Sequence, residues 1–304
     1  MIKIFGHKAP DTDATGAAII WSWFLGTKDV EATPYVLGTP NTEAAFVLQR
    51  WGYETPELLE DVDADDMVVI VDTNNPAELP AHINDATVIE IIDHHMLVGG
   101  LKTKQPINIT IEPVASTATV MANMMGEDLT TAPDAIKGLI LSCVLSDTLE
   151  FRSPTTTEVD MSLAHFLADE LGVDIAEYAA EMFAAKSDVS RFSDAELLRM
   201  DSKEYAVDGV KFRVSVLETT SPETVLARKE NLIETMTTVA AEDEVDQVLL
   251  FVVDILNEQA TLLIPNDFVK KVAEKSFDTT VSGDIVILPG VVSRKKQIIP
   301  NLVV

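Results

Sequence analysis

Three short apolar runs punctuate the first hundred residues: Ile2 to Phe5, Met67 to Val71 and Val88 to Ile92. Each is rich in β-branched side chains and too short for a helix, and each alternates with stretches of helical period. That pattern predicts a mainly parallel sheet flanked by helices. Helices are expected at Asp13 to Leu25, Thr42 to Trp51, Ser116 to Met125 and Pro133 to Leu145. Another is expected from a cap at Thr157 to Leu171, with Gly172 as its stop. Periodicity fades over Lys186 to Asp194, where the chain turns polar, which predicts a first domain over 1–187, a hinge or linker over 188–194 and a second domain over 195–304. Beyond it, strands are expected at Phe212 to Leu217, Val248 to Ile255, Ala260 to Ile264 and Ile285 to Leu288. Helices near Pro222 to Ala241 and Asp267 to Ser276 complete a smaller mixed α/β domain.

The polar residues at the ends of the first-half strands change the picture. Ile2 to Phe5 runs into Gly6-His7-Lys8-Ala9-Pro10-Asp11-Thr12-Asp13, Met67 to Val71 into Asp72, and Val88 to Ile92 into Asp93-His94-His95. Ligands of open α/β sheets gather at the carboxyl ends of strands, and imidazoles mixed with carboxylates suit divalent cations held near phosphate. Two such His/Asp clusters make a binuclear metal site the leading expectation. Taken alone, Asp72 fits an Asx-turn or a helix cap; its company argues for more. On a helix starting at Pro133, the apolar face of Ile136, Leu139, Ile140, Cys143 and Val144 returns at Asp147, and a carboxylate aimed there needs a partner or a metal. The alternative, a helix over by Ser146 with Asp147 capping the next turn, stays open. His82 and His165 lie outside both clusters and carry no role, and Cys143 reads as a core residue.

Composition bounds what such a site can serve. With 304 residues, 47% hydrophobic and 24% charged, the chain suits two globular domains. No apolar stretch approaches the roughly 20 residues that cross a bilayer, and the first residues lack the apolar core of a signal peptide. A cytoplasmic protein is expected, in keeping with the single cysteine. The formal charge of −28 argues against nucleic acid and anionic membranes as partners. A small anion could bind only where metal or clustered basic side chains reverse the local sign.

The motif around His7 to Asp13, the strand end at Asp72, Asp93-His94-His95 and Ser146-Asp147-Thr148 resemble, in order, the four motifs of the DHH phosphoesterase superfamily. Ser293-Arg294-Lys295-Lys296-Gln297 narrows the resemblance to its manganese-dependent inorganic pyrophosphatases, family II. The resemblance implies that His7, Asp11 and Asp72 bind one metal and Asp13, Asp72, His94 and Asp147 the other, with Asp72 as the bridge. It implies that His95 faces substrate as an acid, that Lys203, Arg294 and Lys295 hold phosphate oxygens, and that Asp93 orients its neighbours. Ala9 stands where the family often has asparagine. Two Mn²⁺ per subunit are implied, with Co²⁺ or Mg²⁺ as substitutes and further Mg²⁺ or Mn²⁺ arriving with pyrophosphate. A homodimer through the first domain, a DHHA2-like second domain and an active site in the cleft between the two are implied as well.

The chemistry of the residues agrees. Two cations about 3.5–4 Å apart can share a hydroxide and present it to phosphorus, with no covalent enzyme intermediate. His95 can protonate the leaving oxygen, while the basic residues neutralise its charge. If Ser293 to Ile298 were a regular strand, Arg294 and Lys295 would face opposite ways, so either the segment is irregular or both sides line the cleft. By itself, such a basic tripeptide fits a solvated edge. An exopolyphosphatase is the alternative enzyme. The phosphodiesterase branch of the superfamily is disfavoured because Gly99-Gly100 precedes Leu101, not histidine. A non-catalytic phosphate sensor would need losses the chain does not show.

Overall fold

Six strands form the first sheet: β1 (Ile2–Phe5), β2 (Ala32–Val36), β3 (Glu57–Leu58), β4 (Met67–Val71), β5 (Thr87–Asp93) and β6 (Asn108–Ile111). All pairings are parallel, in the order β3-β2-β1-β4-β5-β6. The chain steps outward from β1 through β2 and β3, then returns to lay β4, β5 and β6 on the other side. The order therefore reverses between β1 and β4, which is where an open parallel sheet leaves a crevice for ligands. This computed structural model describes residues 1–304 and divides them into two units, Met1–Ala185 and Lys186–Val304.

Burial on both faces explains the unbroken apolar runs. Along β4, Val69 and Val71 enter the core shared with the helices, whereas Val68 and Ile70 enter a second cluster with Leu59, Val62, Leu79 and Ile83 on the opposite face. The helices are α1 (Thr12–Thr27), α2 (Thr42–Trp51), α3 (Thr117–Met125), α4 (Asp134–Thr148), α5 (Glu158–Leu171) and α6 (Ile175–Lys186). Thr157 caps α5 in a reciprocal box with Asp160, and Gly172 ends it in the left-handed conformation, as expected. Helices α1 and α4 meet at Gly16, where a Cβ would lie 2.5 Å from the Cys143 sulfur. Only glycine permits this approach, which draws the first turn of α1 toward the last turn of α4.

The second unit opens with α7 (Asp194–Arg199), followed by β7 (Ser202–Val207), β8 (Val210–Thr219), α8 (Glu223–Leu226), α9 (Lys229–Glu242), β9 (Gln247–Asp254), β10 (Gln259–Leu263), α10 (Asp267–Phe277) and β11 (Ile285–Pro289). Its sheet runs β11-β10-β9-β8-β7, with β8 and β9 parallel and the other pairs antiparallel. Central β9 sends Leu249, Phe251 and Val253 to the face covered by α10, and Val248, Leu250 and Val252 to the face covered by α9. The helix expected over Pro222 to Ala241 is instead two, parted at Ala227–Arg228. There the Arg228 guanidinium turns to Asp194 at 2.7 Å and to the Val189 carbonyl at 2.9 Å. The polar stretch before α7 is packed onto this unit: the Ser187 and Thr220 hydroxyls are 3.0 Å apart, and Val189 joins the core.

Strands β2, β3, β6 and β7 escape the hydrophobic pattern. β2 contains Pro34, which argues against a ladder strand. β3, β6 and β7 lie at sheet edges, where only one flank is paired and exposed polar residues break the apolar run. No helix is long and apolar enough to cross a membrane.

Candidate metal centre

Register brings the strand ends level. Phe5 pairs with Ile70 and Val71 with Ile92, so His7 and Asp72 each stand two residues past a matched pair. The Asp72 N–H donates to the Ile92 carbonyl at 2.9 Å, extending the pairing by one step. The backbone then turns with Asp72 at φ 58°, a left-handed conformation that costs energy for a residue with a Cβ and clusters at functional sites. Just beyond β1, the Asp11 carboxylate caps α1 by accepting the Ala14 N–H at 3.0 Å. Asp13 follows in the first helical turn and is buried. Helix α4 continues through Thr148, which makes Asp147 helical rather than a cap beyond the helix. Its side chain keeps 21% of its surface, so it sits where the apolar core gives way to the polar centre.

Six side chains meet there. His7 Nε2 is 3.5 Å from Asp72 Oδ2 and 3.6 Å from Asp11 Oδ2. His94 Nε2 is 3.3 Å from Asp72 Oδ1 and 4.0 Å from both Asp13 Oδ2 and Asp147 Oδ2. The donor atoms of His7, Asp11 and Asp72 lie within 4.8 Å of one another, as do those of Asp13, His94 and Asp147. Asp72 thus turns one oxygen to each group. His94 Nδ1 faces the Val114 carbonyl at 3.2 Å; since a carbonyl only accepts, Nδ1 carries the proton and Nε2 faces the carboxylates.

Further hydrogen bonds hold these groups in place. Asp13 accepts the Ser116 hydroxyl at 2.9 Å, the Thr117 N–H at 2.6 Å and the Ala118 N–H at 3.2 Å, all from the start of α3. The Thr117 hydroxyl donates to Asp72 Oδ1 at 3.0 Å. Asp93 does not enter either three-residue group. It accepts the N–H groups of His94 and His95 at 2.8 and 3.1 Å, and the His95 ring at 2.9 Å. Its other oxygen takes the Asn74 amide at 2.6 Å. Asn74 also accepts the Val98 N–H at 2.8 Å, tying the loops after β4 and β5 together. Half-exposed His95 then lines a cavity of about 440 Å³ with His7, Lys8, Asn75 and Met96.

Burial opposes the charged form of His7, but hydrogen bonds to Asp11 and Asp72 outweigh it and push the imidazole up to about 10. His94 is likewise desolvated, yet Asp72 and Asp13 raise it to about 9. Burial pushes Asp13 up to about 7, with the Asp72 charge adding to the rise; burial, then the charges of Asp13 and Asp72, push Asp147 well up. Burial also works against an ionised Asp72, but His7 and His94 hold it well below the usual carboxylate range. Three carboxylates facing one another in a buried space repel, and cations relieve that repulsion. The donor set of two imidazoles and four carboxylates therefore fits divalent metal of the manganese kind.

The second unit carries the other expected residues. Arg294 begins a π-helical turn, Arg294–Ile298, which answers the difficulty of a strand sending Arg294 and Lys295 to opposite faces. Its guanidinium donates to the Asp201 carbonyl and carboxylate, both at 2.7 Å, beside the start of β7, and Lys203 on β7 and Lys295 are exposed. Cys143 is wholly buried, its sulfur 3.4 Å from the Thr12 carbonyl and its thiol pushed well up by burial. His82 is exposed and pairs with Asp61; exposed His165 packs its ring against Phe151. Sequence reasoning missed Asn74, Ser116 and Thr117. Ser116 was legible as the start of a helix, but no local signal tied it to Asp13.

A family model described as the DHH family, N-terminal domain, matches residues 1–147, and one described as the DHHA2 domain matches residues 180–303. The manganese-dependent inorganic pyrophosphatase of Bacillus subtilis is 36% identical over 303 residues, spanning 99% of this chain and 97% of its own. A Deinococcus radiodurans protein named for the same activity is 41% identical over 308 residues, spanning 99% and 98%. A Methanococcus jannaschii crystal structure, described as a family II inorganic pyrophosphatase, is 33% identical with a TM-score of 0.62, covering 99% of this chain and 98% of that one. With both domain models matched in order and relatives similar from end to end, this chain belongs to the family II, manganese-dependent inorganic pyrophosphatases of the DHH superfamily.

Proposed function

We propose that this chain hydrolyses inorganic pyrophosphate to two phosphates at a centre of two divalent cations, with Mn²⁺ as the working metal. The observation that carries the reading is the shared carboxylate: Asp72 presents one oxygen beside His7 and the other beside His94. His7, Asp11 and Asp72 would hold one ion, and Asp13, Asp72, His94 and Asp147 the other. Such a pair, when bound, lowers the pKa of a shared water and draws charge from phosphate oxygens.

The remaining roles belong to the chain. Asp93 fixes the His95 ring by accepting its Nδ1–H, which turns Nε2 outward as a proton donor for a departing oxygen. Lys203, Arg294 and Lys295 would bind phosphate oxygens, Arg294 exchanging its Asp201 partner for substrate. The two units would close on substrate by bending near residues 186–194. We assign Co²⁺ and Mg²⁺ as substitute metals, a further Mg²⁺ or Mn²⁺ as the companion of pyrophosphate, and a homodimer through the first unit as the assembly.

The test measures phosphate released from pyrophosphate, tripolyphosphate and a dinucleotide, with Mn²⁺ and with Mg²⁺. Fastest release from pyrophosphate with Mn²⁺ is expected. Preference for tripolyphosphate would favour an exopolyphosphatase, and no release from any of the three would overturn the enzyme reading.

A further inference from the structure

We propose that Thr117 is a positioning residue for the bridging ligand: its hydroxyl makes Asp72 present one oxygen to each half of the metal centre. The inference rests on the two-metal reading above and assigns a role to a side chain outside the ligand set. Thr117 is wholly buried and opens α3. Its Oγ1 lies 3.0 Å from Asp72 Oδ1. An ionised carboxylate only accepts, so the hydroxyl must donate, and the position of its proton follows from chemistry alone.

The geometry gives that bond a purpose. Asp72 Oδ1 is 3.3 Å from His94 Nε2, and Oδ2 is 3.5 Å from His7 Nε2, so the carboxylate plane spans the two groups. Rotation about the Cβ–Cγ bond would offer both oxygens to one ion and leave the other short of a ligand. A hydrogen bond to Oδ1 alone opposes that rotation. The donor is itself held fast: the Thr117 N–H grips Asp13 Oδ2 at 2.6 Å, and the hydroxyl of Ser116, the residue before it, grips Asp13 Oδ1 at 2.9 Å. Threonine is stiff at χ1, which keeps the hydroxyl aimed. One turn of α3 therefore sets two carboxylates delivered by β4 and α1.

The experiment titrates metal-free protein with Mn²⁺ by electron paramagnetic resonance. The free-ion signal reads affinity and stoichiometry; exchange coupling between bound ions reads whether they share a bridge. Wild type is expected to bind a coupled pair. Thr117→Val keeps the shape and loses the donor; its affinity for the second ion should fall about 10–100-fold, the range for removing an outer partner of a metal ligand, with coupling lost. Thr117→Ser, which keeps the hydroxyl, should stay coupled and close to wild-type affinity. Should Thr117→Val fail to fold, Thr117→Ala read in the same way decides. A hydroxyl-free variant binding a coupled pair at wild-type affinity overturns the proposal, as does a serine variant that behaves like valine. Wild type that never binds a pair would instead sink the two-metal reading itself.

Discussion

At the scale of single residues, the centre depends on side chains that cannot replace one another. His94 stands opposite Asp13, Asp72 and Asp147, so His94→Ala and Asp147→Asn should lose metal affinity and activity together. A loss of at least about 10–100-fold in Mn²⁺ affinity is expected, since even outer partners of ligands contribute that much. Calorimetric titration of the metal-free variants checks this; wild-type affinity combined with lost turnover would remove both residues from the ligand set. Lys295 is exposed in the second unit, and the role proposed for it is substrate capture. Lys295→Ala should raise KM on the order of tenfold, the scale of one charge-assisted hydrogen bond to phosphate, while leaving Mn²⁺ affinity alone. An unchanged KM would end that role.

At the scale of elements, the centre is a consequence of register and of one close helix crossing. Matched strand ends bring His7 and Asp72 level, while the contact at Gly16 draws α1 and α4 together with Asp13 and Asp147 at their facing ends. Gly16→Ala would set a Cβ 2.5 Å from the buried Cys143 sulfur, an overpacking that costs about 1–3 kcal/mol. Denaturant unfolding should show that loss, and Mn²⁺ affinity should fall with it as the helices part. Pairing Gly16→Ala with Cys143→Ala, which vacates the space, should recover both. The strands missed at the sheet edges share a cause: polar edge strands such as β6 and β7 are recognised by the neighbour they pair with, not by their own pattern.

For the whole molecule, the centre links pH to stability. In metal-free protein, Asp13 is raised to about 7, so the folded state binds its proton more tightly than the unfolded chain does, and stability falls as pH rises from about 4 through 7. His7 and His94, raised to about 10 and 9, contribute stability that is whole below the ordinary histidine value and is lost as pH climbs through 9 and 10. The metal-free melting temperature should therefore drop between pH 7 and 10, and saturating Mn²⁺ should flatten that drop by taking the place of the protons. Thermal melts in chelator and in Mn²⁺ check the sign; a metal-free melt that rises over this interval would contradict it. Closure belongs to the same scale: a non-hydrolysable pyrophosphate analogue should reduce the radius of gyration in solution scattering, and no compaction would count against it.

The sequence by itself determined the strand ends and which polar residues stand at them. Apolar runs buried on both faces mark β1, β4 and β5, and residues directly following a strand have little choice but to stand at the rim of the sheet. Helical period also carried the reading of α4 as far as Asp147. Only tertiary structure decided what surrounds those residues. The hydroxyls of Ser116 and Thr117 act on Asp13 and Asp72, the Val114 carbonyl on His94 and the Asn74 amide on Asp93, each far away in the chain. Such contacts follow from how elements pack, and a one-dimensional pattern of polar and apolar positions holds no term for partners that meet only after folding.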